Sequence, residues 1–254
     1  MEYVLITGAT SGIGYEMAKV FATKGYPLIL VGRSEKKLKQ TKAYLEKRLR
    51  AKNVISICQD LSHKNAAKCI YQTVRKLGIR VTILVNNAGI GYAGEFEKAS
   101  EEALSSLIEV NMTQLTLMTR YFAIEMKKLG RGRILNVAST GAYSPGAYIA
   151  VYYATKAYVL SLSEALYEEL KPYGVLVSTL CPGATLTNFQ KASGRADTKL
   201  AMSPKVVAEK AYCGLMKNKK IIVPGLRNQF MIHLPKKVAI KVIKRYQKST
   251  LLKH

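Results

Sequence analysis

Acidic residues are scarce in this chain, with 16 Asp and Glu set against 40 Lys and Arg for a formal charge of +24. Attraction to phosphates, nucleic acid or an anionic membrane therefore has to be weighed, and charge alone does not choose among them. None of the four cysteines, Cys58, Cys69, Cys181 and Cys213, falls in a C-x-x-C pairing, and His63, His233 and His254 share no ligand spacing. These absences favour a reduced, metal-free, cytoplasmic protein. No apolar run approaches the roughly 20 residues needed to span a bilayer. The chain opens on a strand-like run instead of a basic, apolar and then small-residue leader, so no leader is expected. A nucleic-acid binder is left with charge as its only support, because no helix-turn-helix pattern, aromatic RNA-binding strand or zinc motif accompanies it.

No repeat, low-complexity tract or long linker divides the 254 residues, 48% of them hydrophobic, and one domain over 1–254 is expected. Short apolar runs recur: "YVLIT", "PLILVG", "VISICQD", "VTILVNN", "RILNVAS", "VLVSTLCP" and "IIVPG". Between them the periodicity predicts helices near 12–24, 35–50, 63–77, 101–128, 152–171 and 203–217. This alternation implies an α/β fold, a doubly wound parallel sheet of Rossmann type with helices on both faces and ligands beyond the carboxyl ends of the strands. The small, polar residues between Pro182 and Pro204 predict a flap over a cleft, at about 187–204. No acidic residue follows Glu209, and about 226–254 reads as a basic helical extension.

"LITGATSGIG" sets Thr7, Gly8, Gly12 and Gly14 at the turn from the first strand into the first helix. Glycines there let the backbone bend and approach a pyrophosphate, while free N–H groups and the helix dipole favour its charge. The spacing T-G-x-x-x-G-I-G resembles that of the short-chain dehydrogenase/reductase family. Further motifs follow in the family's order over residues 3 to about 190: "DL" at Asp60, "NNAG" at 86–89, Asn111, Ser139, Tyr152 with Lys156, and Pro182 with Gly183. The resemblance implies that Gly8, Ser11, Gly12, Ile13 and Gly14 cradle a dinucleotide and that Asp60 and Leu61 contact its adenine. It puts Asn87, Ala88 and Gly89 on the adenine ribose, Pro182 and Gly183 against the nicotinamide, and Thr187 near the carboxamide. Asp60 also reads as a turn aspartate beside Ser62, a cap for the next helix, and Asn86 as a tie between strands.

After the second strand stands "VGRSEKK". An acidic side chain at this place accepts from a ribose hydroxyl and repels a 2′-phosphate. Here Gly32 supplies no carboxylate and Arg33 offers a planar fork suited to phosphate, so NADP(H) is the expected cofactor.

In "VYYATKA" two tyrosines precede Lys156. A phenol titrates near 10 and needs a nearby cation to work at neutral pH. On a helix Tyr152 stands four residues before Lys156 and Tyr153 three, and both spacings bring ring and ammonium together. Spacing leaves the choice open. The resemblance, through its Y-x-x-x-K pattern, selects Tyr152 as the proton donor. It further implies that Ser139 bonds the substrate carbonyl, that Lys156 lowers the phenol pKa and holds the ribose, and that Asn111 anchors a water returning protons to Lys156. Tyr148, Tyr153 and Tyr158 are left to packing or pocket shape.

The expected activity is hydride transfer between NADP(H) and a carbonyl or secondary alcohol, on a hydrophobic substrate such as a fatty-acyl, steroid or aromatic ketone. "GIGYAGEF", "TGAYSPGAY" and 188–202, apolar or small with several tyrosines, supply the substrate wall. A sensor that binds NADP(H) without turnover is the rival reading, opposed by the presence of all four catalytic positions. The resemblance implies a homodimer or homotetramer built on the helices near 101–128 and 152–171. In "PKKVAIKVIKRYQK", Val238, Val242, Ile243 and Tyr246 form an apolar stripe flanked by lysines. It is expected to pack on the domain or a second subunit, with peripheral attachment to an anionic membrane as the alternative.

Overall fold

The computed structural model describes residues 1–196 and 201–251, so the part of the expected flap at 197–200 and the last three residues of the tail lie outside it. Seven strands form one parallel sheet: β1 (Glu2–Thr7), β2 (Leu28–Gly32), β3 (Val54–Cys58), β4 (Arg80–Asn86), β5 (Gly132–Val137), β6 (Val175–Leu180) and β7 (Ile221–Ile222). Their order is β3-β2-β1-β4-β5-β6-β7. The chain works outward from β1 to β3, then crosses back to place β4 on the other side of β1, and the crevice opens where the order reverses. Every residue of β2 is buried, as expected of a strand covered on both faces.

Alternate side chains divide the core in two. Val4, Ile6, Leu28 and Leu30 meet Met17 and Phe21 of α1 (Gly12–Thr23) and Val207 and Ala211 of a helix at Pro204–Met216, with α2 (Glu35–Leu49) closing that face through Leu38 and Leu45. Leu5, Ile29, Val31 and Leu84 point the other way, onto Ile70 of α3 (Ala66–Lys76) and Phe122 of a helix at Leu115–Leu129. Each face buries several full aliphatic or aromatic side chains at about 1.5–3 kcal/mol apiece. The strand ends are thereby fixed against both helical layers.

Two helices differ from the periodicity. The one expected from 63 begins at Ala66, because Asn65 turns into the left-handed region at φ 67°. Ser62 does not cap it: its N–H and hydroxyl both donate to Asp60 Oδ1 at 2.9 Å, closing a local turn. Instead the Ala67 N–H is accepted by Gln114 Oε1, 2.6 Å away and 47 residues on. The helix expected over 101–128 is α4 (Glu101–Ile108) and α5 (Leu115–Leu129) joined by a π-helical segment, Glu109–Gln114. Asn111 sits at its centre.

The remaining helices are α6 (Ala150–Leu170), α7 (Asn188–Ala192), α8 (Pro204–Met216), α9 (Leu226–Ile232) and α10 (Lys236–Thr250). Among the described residues no helix is long and apolar enough to cross a membrane. The basic tail packs on the domain. Ala239 and Gln247 of α10 are buried, and Val242, Ile243 and Tyr246 line the central cleft, while Val238 faces outward. The inward face thus runs through 239, 243 and 247, one position round from the stripe that starts at Val238.

Candidate active site

A cleft of about 750 Å³ opens beyond the carboxyl ends of β1, β4, β5 and β6. At its floor Gly8 and Gly12 take φ of 65° and 55°, values that only glycine adopts at little cost. Side chains there would also collide, Gly8 with Asn87 and Ala88 and Gly12 with Thr187. Gly14 lies just behind the lining, where a methyl group would overlap the Gly8 carbonyl and the Asn87 amide. Thr7 Oγ1 accepts from the N–H groups of Asn87 and Ala88, both at 3.0 Å, and Asn87 Nδ2 donates to the Thr7 carbonyl at 2.9 Å. The ends of β1 and β4 are laced together, and Asn87 spends its amide on that tie while its face lines the cleft.

Ser11, Ile13, Ala88 and Gly89 line the cleft with Arg33, and so do Thr10 and Lys37, which the sequence analysis did not single out. Lys37 sits on the first turn of α2, whose N-cap Ser34 directly follows Arg33, so the short turn after β2 brings both cations to the cleft. Asp60 and Leu61 stand outside the lining. Burial opposes ionisation of Asp60, yet two bonds from Ser62 and the charge of Arg33 hold its carboxyl below the usual range. Among the described residues no Asp or Glu lines the cleft. A phosphate-bearing ligand meets cations and amides there, and nothing that repels it.

Tyr152, Lys156 and Ser139 come together in the middle of the cleft. Helix α6 presents Tyr152 and Lys156 one turn apart, with Lys156 Nζ 5.7 Å from the centre of the Tyr152 ring. Lys156 Nζ donates to the carbonyl of Val137, the last residue of β5, at 2.8 Å. Ser139 follows that strand, its Oγ accepting from the Gly141 N–H at 3.1 Å. Burial pushes the Tyr152 phenol up to about 12, with Arg195 and the Ser139 hydroxyl pulling it down. The lowering expected of Lys156 does not appear, because burial outweighs every nearby charge and Lys156 is not among those that act on the phenol. Burial also brings Lys156 down to about 8. Asn111 is fully buried behind this group: its Oδ1 accepts from Ile90 N–H at 3.0 Å, and its Nδ2 donates to the Ile90 carbonyl at 2.9 Å and to Thr155 Oγ1 at 3.2 Å. Gly89 separates Asn111 Oδ1 from Lys156 Nζ, since a Cβ there would lie 3.3 and 3.4 Å from them. The π-helical bulge is what turns Asn111 toward this point.

Tyr153 takes a different place. Its ring fills the space over Gly141 and Gly146, and its hydroxyl accepts from Gln247 Nε2 at 3.2 Å. Asn86 donates to Asn136 of β5 and Thr119 of α5, both at 2.9 Å, as the tie the sequence indicated.

Pro182, Gly183 and Thr187 line the cleft beyond β6, and Thr187 Oγ1 accepts from Phe189 N–H to open α7. Phe189 then stacks obliquely against Tyr152, ring centres 5.3 Å apart, over Gly91, where a side chain would clash. Helix α9 packs Asn228 over Gly183. Phe189 and Arg195 fall within the 188–202 stretch expected to wall the substrate but were not singled out there, and Asn228 was missed, because each is a lone residue with no motif around it.

The model of the short chain dehydrogenase family matches residues 2–198. The chain belongs to this family. Its fold is the one the resemblance implied. An uncharacterized oxidoreductase of Thermotoga maritima is 36% identical over 184 residues, 72% of each chain. A very-long-chain 3-oxoacyl-CoA reductase of Pyrenophora tritici-repentis is 32% identical over 80% of this chain, which spans 60% of that protein's length. Among solved structures, a short-chain dehydrogenase of Sphingobium yanoikuyae in complex with NADPH is 30% identical, with a TM-score of 0.84 over 93% of this chain and 97% of the other. A bulky-bulky ketone specific alcohol dehydrogenase of Comamonas testosteroni is 26% identical, with a TM-score of 0.80 over 98% and 93%.

Proposed function

We propose that this short-chain oxidoreductase uses NADP(H) and reduces bulky, hydrophobic ketones, or oxidises the matching alcohols. The observation that carries the reading is the cleft's sorting of groups. Glycines with positive φ and the basic pair Arg33 and Lys37 stand at one end, Tyr152, Ser139 and Lys156 at the centre, and Ile90, Leu107, Phe189 and Ile243 along the walls. The glycine cradle fits a pyrophosphate, and Arg33 with Lys37 fits a 2′-phosphate. The NADPH complex of the Sphingobium protein and the ketone specificity of the Comamonas protein support the same reading.

The bound dinucleotide would supply the hydride. The chain's residues do the rest: Ser139 donates to the carbonyl oxygen as charge develops, and Tyr152, a neutral phenol at physiological pH, gives it the proton. Lys156, charged below about pH 8, replenishes that proton, with Asn111 holding the route to solvent through a water beside Gly89. Phe189 and Tyr153 wall the reacting carbon from solvent. We further propose a homodimer or homotetramer built on α4–α5 and α6, since Ile108 and Ile124 are exposed on the first of these.

The test is NADPH oxidation at 340 nm with a panel of aryl, steroid and fatty-acyl ketones. Turnover of at least one class is expected, with NADH poorer. Arg33→Ala should raise KM for NADPH about tenfold and leave NADH nearly unchanged. Equal use of both cofactors by the unmodified protein would defeat the cofactor reading, and no ketone turned over despite NADPH binding would defeat the reductase.

A further inference from the structure

Arg195 is a cation with no carboxylate partner among the described residues, and it lines the substrate end of the cleft. Its side-chain bonds go only to neutral groups and are long: Nε to Ser193 Oγ and Nη1 to Gln247 Oε1, both at 3.4 Å. An arginine fork satisfied so loosely keeps donors in hand for an oxyanion. The position, by contrast, is firmly built. The Arg195 N–H bonds the Gln190 carbonyl at 2.9 Å, Arg195 forms an antiparallel bridge with Leu251, and the next residue's N–H bonds the Thr250 carbonyl at 2.9 Å.

Gln247 explains what the tail contributes. It is fully buried, and its amide reaches Tyr153 through the nitrogen and Arg195 through the oxygen. A buried amide is costly to desolvate, and here it joins α6 to the arm that carries Arg195. The guanidinium lines the same cleft as Tyr152 and is close enough to pull its phenol downward in pKa against burial. Arg33 and Lys37 occupy the far end of the cleft, so Arg195 is not needed for the cofactor's 2′-phosphate.

We propose that Arg195, oriented by Gln247, is a specificity-determining residue that binds an anionic group on the substrate, so that the preferred ketones join an apolar body to a carboxylate or a phosphate. The proposal rests on reading the cleft as a ketone site. The bland alternative is that Arg195 only clamps the arm to α10.

The experiment compares kcat/KM for matched ketones with and without the anion: an aryl or long-chain keto acid against its methyl ester, and a 3-oxoacyl-CoA against the corresponding N-acetylcysteamine thioester. The unmodified protein should prefer the anionic member of one pair by about tenfold or more, and which pair does so tells carboxylate from phosphate. Arg195→Gln should erase that preference by raising KM for the anionic member far more than for the neutral one, Arg195→Lys should retain part of it, and Gln247→Leu should weaken it several-fold. Equal use of both members in both pairs, or an Arg195→Gln loss shared equally by anionic and neutral ketones, overturns the proposal. Calorimetric binding to the NADPH-loaded protein separates the two readings. Tighter binding of the anion without turnover sinks the reductase and keeps Arg195, whereas equal or absent binding of both members sinks the Arg195 assignment.

Discussion

Tyr152 is a neutral phenol across the physiological range, and burial raises its pKa further, so its proton is present to be given and the question is what draws it off. Replacing it by Phe removes only that proton. Turnover should fall by about 10²–10⁴ while the NADPH dissociation constant stays put. Tyr153→Phe should keep most activity, because its hydroxyl meets only Gln247; a dead Tyr153 variant beside an active Tyr152 variant would show the register to be wrong. Lys156 sets a second expectation. Burial lowers its pKa to about 8, so the ammonium is present below that pH and lost above it, and kcat/KM for reduction should fall as pH rises through about 8. A rate flat from pH 7 to 10 would count against Lys156 as the proton store. These residues were legible because Ser139, Tyr152 and Lys156 hold fixed spacings along one chain. Arg195 and Gln247 were not: their meaning comes from a contact across 52 residues, and no local pattern marks it.

At the scale of elements, periodicity located every helix of the sheet's two layers but not what starts or interrupts them. Asn65 ends the turn before α3 by its backbone angle, and the missing cap is supplied from the π-helical segment by Gln114, which also donates to Glu109 at 2.5 Å. Gln114→Ala strands the buried Ala67 N–H and removes a donor from the half-buried Glu109 carboxylate, with Gln114 itself 1% exposed. The loss should be about 1–3 kcal/mol of unfolding free energy, read from urea denaturation of variant and parent. A change below about 0.5 kcal/mol would mean that water replaces the bond. The stripe on α10 was legible as a stripe, and its exact face was not, because Gln247, which completes the inward face, is polar and only its two partners explain the burial.

Taken whole, the molecule carries +24 and presents no carboxylate among the described residues that line its cleft. Such a field concentrates a polyanionic cofactor and is screened by salt, with a Debye length of about 10 Å at 0.1 M and about 3 Å at 1 M. KM for NADPH should therefore climb several-fold between low salt and about 0.5 M, and more steeply than KM for NADH, while kcat moves little. Parallel behaviour of the two cofactors would assign the charge to some other partner.

The bridge between Arg195 and Leu251 has a consequence for how the cleft opens. The Ala196 amide donates to the Thr250 carbonyl and the Arg195 guanidinium to Gln247 Oε1, so the arm beyond α7 and the last turn of α10 cannot separate without breaking the same small set of bonds. They should behave as one cooperative unit in hydrogen–deuterium exchange, with the Ala196 and Leu251 amides exchanging together. A ligand that fills the substrate end slows both at once. Its departure should then wait on a fluctuation of α10, which would make that helix a determinant of residence time as well as of shape.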